Sequence, residues 1–138
     1  MSNKELNAPD IRQAIEKADE IIHAIEQSEA ALNKGIYTLE YYKYRNICNE
    51  VEANKLINEY EGMMHGQEFI KKDAKANKNA FEVYLDVVEK GEDIQNTELE
   101  QIQTLIYDVD KVHDKIGELM QESDVTDNCE QILIEDDY

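Results

Sequence analysis

The sequence predicts an all-α protein: a bundle of three or four long helices followed by an acidic C-terminal tail. Three observations predict it. Apolar residues recur at three- and four-residue intervals over most of the 138 positions. One Pro and five Gly are too few for the many turns of a β protein. Helix start and stop signals bracket the periodic stretches.

The first helix is expected from Pro9, a favoured first-turn residue, with Asn7 as its N-cap. Ile11, Ile15, Ala18, Ile22, Ile25 and Leu32 form its apolar stripe, and Asn33-Lys34-Gly35 is expected to end it through a left-handed glycine cap. Thr38 is then read as the next cap. Tyr41, Tyr44, Cys48 and Val51 make a less regular face. A register follows through Leu56, Tyr60, Met63, Gln67, Ile70, Ala74, Asn77, Phe81, Tyr84 and Val88, passing across Gly62 and Gly66. If those glycines reverse the chain, the result is an up-down four-helix bundle. If they do not, residues 38–90 form a central helix of about 75 Å, with the first and last helices folded back along it. Such a shape suits a homodimer. Lys90-Gly91 ends the segment. Thr97-Glu98-Leu99-Glu100 reads as a capping box. It opens a last helix with stripe residues Leu99, Ile102, Ile106, Val109, Ile116 and Met120, ending near Ser123. Residues 1–123 are therefore expected to form one domain. Residues 124–138, acidic apart from Ile132-Leu133-Ile134, are expected to form a flexible tail.

Charge carries the functional argument. The chain has 32 acidic and 14 basic side chains, a formal net charge of −18. Residues 1–33 hold −4, residues 34–90 hold −1, and residues 91–138 hold −13. A chain this acidic does not bind DNA or RNA directly, because phosphates demand a surplus of Lys and Arg. It repels anionic lipid heads for the same reason. No run of eighteen apolar residues is present, so no membrane-spanning helix is expected. Met1-Ser2-Asn3-Lys4-Glu5 leads into no apolar stretch, so no secretory signal is expected. Cys48 and Cys129, far apart, read as two reduced thiols in a cytoplasmic protein.

Candidate chemical sites are few. Glu20–His23 and Asp110–His113 have the carboxylate–histidine spacing of di-iron bundles. Glu20 and His23, however, point away from the expected stripe, so no metal site is assigned. Asp124, Thr126, Asn128 and Glu135 fit an EF-hand count, but Cys129 stands where that loop needs Gly. No phosphate loop, nucleophile elbow or zinc-protease motif occurs. Neither an enzyme nor a cofactor is expected. Lys71, Lys72, Lys75 and Lys78 are the basic cluster, read as a solvated helix face or a partner for the acidic last helix of the same or a second chain. Tyr37, Tyr41, Tyr42 and Tyr44 divide between core and a contact surface.

The strongest signal is an acidic row. Asp110, Asp114, Glu118 and Glu122 recur every four residues on the expected last helix, opposite its apolar stripe. Like charges at this spacing cost about 0.2–0.5 kcal/mol per pair, partly relieved by Lys111 and Lys115. A rigid row of carboxylates imitates the phosphates of a nucleic acid and is attracted to a basic groove built for them. The expected function is a non-enzymatic blocker of a basic nucleic-acid-binding host protein. Tyr107, Asp108, Asp110, Asp114, Glu118 and Glu122 are the expected contacts, and the acids at 135–137 add charge. In size, charge and acidic C-terminal end, the chain resembles the class of small helical phage proteins that inhibit restriction or CRISPR effectors. The alternative is a structural or assembly protein, such as a phage scaffold, chaperone or coiled-coil adaptor, that oligomerises through Ile70, Phe81 and Tyr84.

Overall fold

The protein is all-α, and its computed structural model describes residues 7–119 and 122–134, apart from the side chains of Glu122 and Ser123. Four α-helices follow in order: α1 (Ala8–Arg45), α2 (Glu50–Glu89), α3 (Asn96–Asp114) and α4 (Glu122–Gln131), with one 3₁₀ turn over Ile116–Glu118. The expected core residue Met120 and the acids at 135–137 lie outside the described residues.

The start of α1 follows the sequence signal. The Asp10 amide donates to the Asn7 side-chain oxygen at 3.0 Å, a side-chain N-cap. Its end does not. The helix runs through Asn33-Lys34-Gly35 for another ten residues. Ile11, Ala14, Ala18, Ile21, Ile25, Ser28, Leu32, Gly35 and Leu39 are buried in an unbroken alternation of three- and four-residue steps, with buried Ala31 beside this line. Ile15 and Ile22, expected in the core, flank this line half-buried. Thr38 caps nothing; its hydroxyl donates back to the Lys34 carbonyl at 2.8 Å, inside the helix.

The true break is at 46–49. Asn46 takes φ 56°. Its amide donates to the Lys43 carbonyl and the Ile47 amide donates to the Tyr42 carbonyl, each at 3.1 Å. This closes α1 in a Schellman motif with Asn in the left-handed position. Asn49 then caps α2, accepting from the Val51 and Glu52 amides at 3.0 and 3.2 Å. The helix passes straight through Gly62 and Gly66. It ends as expected at Gly91, φ 72°, in a second Schellman motif through Val88 and Val87. Neither expected architecture has these boundaries: the reversal lies a dozen residues after Gly35 and before both Gly62 and Gly66.

The start of α3 also differs. Gln95 occupies the N-cap without a side-chain hydrogen bond, and Thr97 lies inside the first turn, so the capping box is not formed. The helix stops at Asp114. Lys115 leaves helical geometry at φ −98°, ψ 6°, with its amide turned back to Val112 and His113. Beyond it stand exposed Gly117 and only half-buried Ile116. The next turn thus has weak helix propensity and little burial to sustain it.

The chain forms two compact units, each assembled from two separate stretches. Unit 1 comprises Met1–Ala24 and Ile70–Gly117; unit 2 comprises Ile25–Phe69 and Glu118–Tyr138. In unit 1, Ile11, Ala18 and Ile21 of α1 are buried with Phe81 of α2 and Ile102 and Val109 of α3. Arg12 pairs with Glu89 at 3.1 Å and Lys78 with Asp19 at 2.7 Å, bracing α1 against α2. In unit 2, Leu32, Leu39, Ile57 and Tyr60 form the core with Val125 and Cys129 of α4. Residues 122–131 are therefore a docked helix, not a free tail. After it, the Ile134 amide donates to the Ile47 carbonyl at 2.8 Å.

Docking of α4 depends on Gly35. A methyl group there would collide with Val125 Cγ1 and lie 3.2 Å from the Tyr60 ring. A methyl at Gly62 or Gly66 meets nothing within 4 Å. The two kinds of site predict opposite signs. Gly62→Ala should stabilise by about 0.5–1 kcal/mol through helix propensity. Gly35→Ala should destabilise by about 1 kcal/mol or more, since overpacking at 1–3 kcal/mol outweighs that gain. Urea denaturation of the two variants measures both signs.

Candidate functional site

The expected contact residues do not lie on one helix. Tyr107, Asp108, Asp110 and Asp114 belong to α3, Glu118 to the 3₁₀ turn, and Glu122 to the start of α4. The helix that carries the row ends at Asp114, and Glu118 and Glu122 fall in later elements. Tyr107 and Asp108 are exposed, with the Lys111 ammonium 5.6 Å from the centre of the Tyr107 ring. Asp114 and Glu118 are exposed as well.

Asp110, half-exposed, turns toward α1. Its carboxylate accepts from Lys17 Nζ of α1 at 2.8 Å. The Asp110 hydrogen bond holds the Lys17 ammonium pKa above its ordinary value, outweighing desolvation, with Asp114 and Glu20 adding charge attraction. One turn on, His113 Nε2 meets Glu20. Neither carboxylate–histidine pair read from sequence spacing is the contact found: Glu20 meets His113 and Asp110 meets Lys17. The Lys17 cation stands among the carboxylates, where a metal would have to compete with it. Among the described residues no group of three or more His, Cys, Asp or Glu is placed to hold a metal ion. The EF-hand count fails because Asp124–Asn128 is helix.

The cysteines are buried and unpaired. Burial pushes both thiols above their ordinary pKa, the reverse of what activates a nucleophile. The Cys129 thiol donates to the Gly35 carbonyl at 3.7 Å, part of the seat of α4. Of the lysine cluster, Lys78 is committed to Asp19 of α1, not to the acidic α3.

Sequence reasoning missed the acids of α4. Val125 and Cys129, four residues apart, are its buried pair. At about 100° per residue, Asp124, Asp127 and Glu130 centre on the opposite side, and all three are exposed. The ten residues Glu122–Gln131 contain four acids and no base. Unit 2 as a whole carries 16 acids and 4 bases, against 16 and 10 in unit 1. The apolar pair Val125/Cys129 at helical spacing was the available signal.

The tyrosines divide by face. Tyr42 packs on the core of unit 2, whereas Tyr37 and Tyr44 are 80% and 82% exposed and Tyr41 is half-exposed. Arg45 donates to the Tyr41 hydroxyl at 3.0 Å. Residues 37, 41 and 44 therefore make an exposed aromatic ridge on the last turns of α1.

Comparison with known protein families, curated proteins and solved structures found no match. Among the described residues, no helix is long and apolar enough to cross a membrane.

Tyr60 reports the seat of α4. Its hydroxyl points to the Val125 carbonyl at 3.5 Å, and burial pushes its pKa up to about 12. The unfolded chain releases this proton near the ordinary value of 10, so between there and about 12 the unfolded state binds fewer protons. Stability from this group is complete below pH 10 and falls as pH rises through 12. Tyr60→Phe should remove this part of the alkaline decline. Thermal melts of both proteins across that range measure the difference.

Proposed function

We propose that the protein is a non-enzymatic, acidic α-helical binder that engages a basic protein surface and blocks it. The favoured target is the nucleic-acid groove of a host nuclease or other nucleic-acid-binding protein. The observation that carries this reading is the outer face of α4. Asp124, Asp127 and Glu130 project opposite the Val125–Cys129 pair, on a helix that holds no base. Adjacent steps of three residues advance about 4.5 Å along a helix, comparable with the spacing of backbone phosphates at about 3.4 Å. Docking holds the backbone of α4 in place before binding, so little backbone ordering entropy is lost on contact. Arginines of a basic groove can take such carboxylates two-pronged, and the net charge speeds the encounter. Tyr107, Asp108, Asp114 and Glu118 add an aromatic contact and further charge. This follows the class of small acidic phage inhibitors of restriction or CRISPR effectors that the chain resembles.

An assembly role is the second reading, and the tyrosine ridge favours it. Tyr and Arg are enriched where proteins meet, and Tyr37, Tyr41 and Arg45 stand together there. Ile70, Phe81 and Tyr84 are a poorer basis for assembly, since Phe81 is wholly buried within its own chain.

Capture from a bacterial lysate at low salt tests the first reading. Retained proteins should be nucleic-acid binders, released by added duplex DNA and by salt. Reversing Asp124, Asp127 and Glu130 together to Lys should lower retention at least about tenfold. Retention indifferent to DNA, salt and the triple variant contradicts it. Light scattering that gives a defined oligomer, not a 16.0 kDa species, favours assembly.

A further inference from the structure

Unit 1 contains an open groove of about 350 Å³ between its three helical segments, at the lower end of the size range of ligand sites. Ala74 of α2 and Val109 of α3 form its buried floor. Ile70 on α2 and Val112 on α3 stand at its sides, still 37% and 38% exposed. Apolar surface is thus left in contact with water on both flanking helices.

The polar rim is asymmetric. Asp73 of α2 and Asp108 of α3 contribute a carboxylate from each side, and neither forms an ion pair among the described residues. The one basic lining residue, Lys111, lies over the Tyr107 ring. The α2 lysines at 71, 72, 75 and 78 do not line the groove. At about 100° per residue they fall on other sides of α2 from Ile70, Asp73, Ala74 and Asn77. An apolar trough with carboxylates on both lips matches a helix with an apolar stripe and flanking cations, the helix-in-groove mode of recognition.

We propose that this groove seats the apolar stripe of a basic amphipathic helix from the partner protein, with Asp73 and Asp108 pairing its lysines or arginines. The proposal rests on the reading that the partner is basic and names where its apolar residues go.

The test titrates the full chain with two synthetic Leu/Lys peptides. One has leucines at helical periodicity; the other has the same composition in scrambled order. The periodic peptide should bind at least about tenfold more tightly, and amide shifts should concentrate at Ile70, Ala74, Val109 and Val112. Ile70→Ser with Val112→Ser should erase the preference. Asp73→Asn with Asp108→Asn should weaken the periodic peptide and flatten its salt dependence while leaving helix content unchanged. Equal binding of both peptides overturns the groove but not the acidic surface. Binding of neither overturns the groove and counts against the basic partner itself.

Discussion

Everything in this protein is built on one line of α1. Ile11, Ala14, Ala18, Ile21, Ile25, Ser28, Leu32, Gly35 and Leu39 are buried at alternating three- and four-residue steps without a skip. This is the heptad seam that lets one helix keep partners along its whole length. Both units draw on it, the first up to Ala24 and the second from Ile25. The answering line on α2 includes Ala53, Ile57, Tyr60, Gln67, Ala74 and Phe81, which fits the same repeat. Two positions of the seam are not apolar side chains. Gly35 is there because Val125 takes the space that a side chain would fill. Ser28, like Gln67 of α2, keeps a buried oxygen without a hydrogen-bond partner among the described residues, a cost of about 1–3 kcal/mol at such sites.

The seam also decides where the charge goes. With the apolar residues gathered on one side of each helix, acids are left to the outer faces. Some of the bases form ion pairs that brace unit 1. Arg12, Lys17 and Lys78 each meet an acid of another helix. Exposed pairs of this kind contribute little each, about 0–1 kcal/mol. In unit 2 the surplus has few bases to meet it, and α4 turns it outward on a docked helix. A net charge of −18 thus becomes a set of fixed carboxylate faces, the property on which recognition of a basic surface depends.

Much of this was legible in the sequence, and the misses have definite causes. The all-α class, the Asn7 cap and the stop at Gly91 all follow from spacing and cap chemistry, whereas the register across Gly62 and Gly66 left a turn and a continuous helix both open. Gly35 misled because a mid-helix glycine required by tertiary packing looks like a glycine that ends a helix. Asn46 and Asn49 did the work expected of Gly35 and Thr38: Asn tolerates the left-handed conformation and caps well, but it is common on helix surfaces too. The acidic row was legible as composition but not as geometry, since Gly117 interrupts the spacing that joined Asp114 to Glu122. The α4 face was hidden in a segment whose apolar content, Val125 and Cys129, becomes meaningful only against Gly35 and Tyr60. Pairing of Lys17 with Asp110, 93 residues apart, is a tertiary contact that no local pattern announces.

The central claim is that α1 is one helix carrying one seam to Leu39, with Gly35 as a docking position and not a stop. Amide hydrogen exchange at residues 33–36 tests it most directly. A continuous helix holds these amides in main-chain hydrogen bonds, so they should be protected to the same degree as those of Ile25–Leu32 before them. A window of fast exchange at Asn33-Lys34-Gly35-Ile36, between two protected stretches, would contradict the account. It would break the seam and remove the seat on which α4 presents its acids.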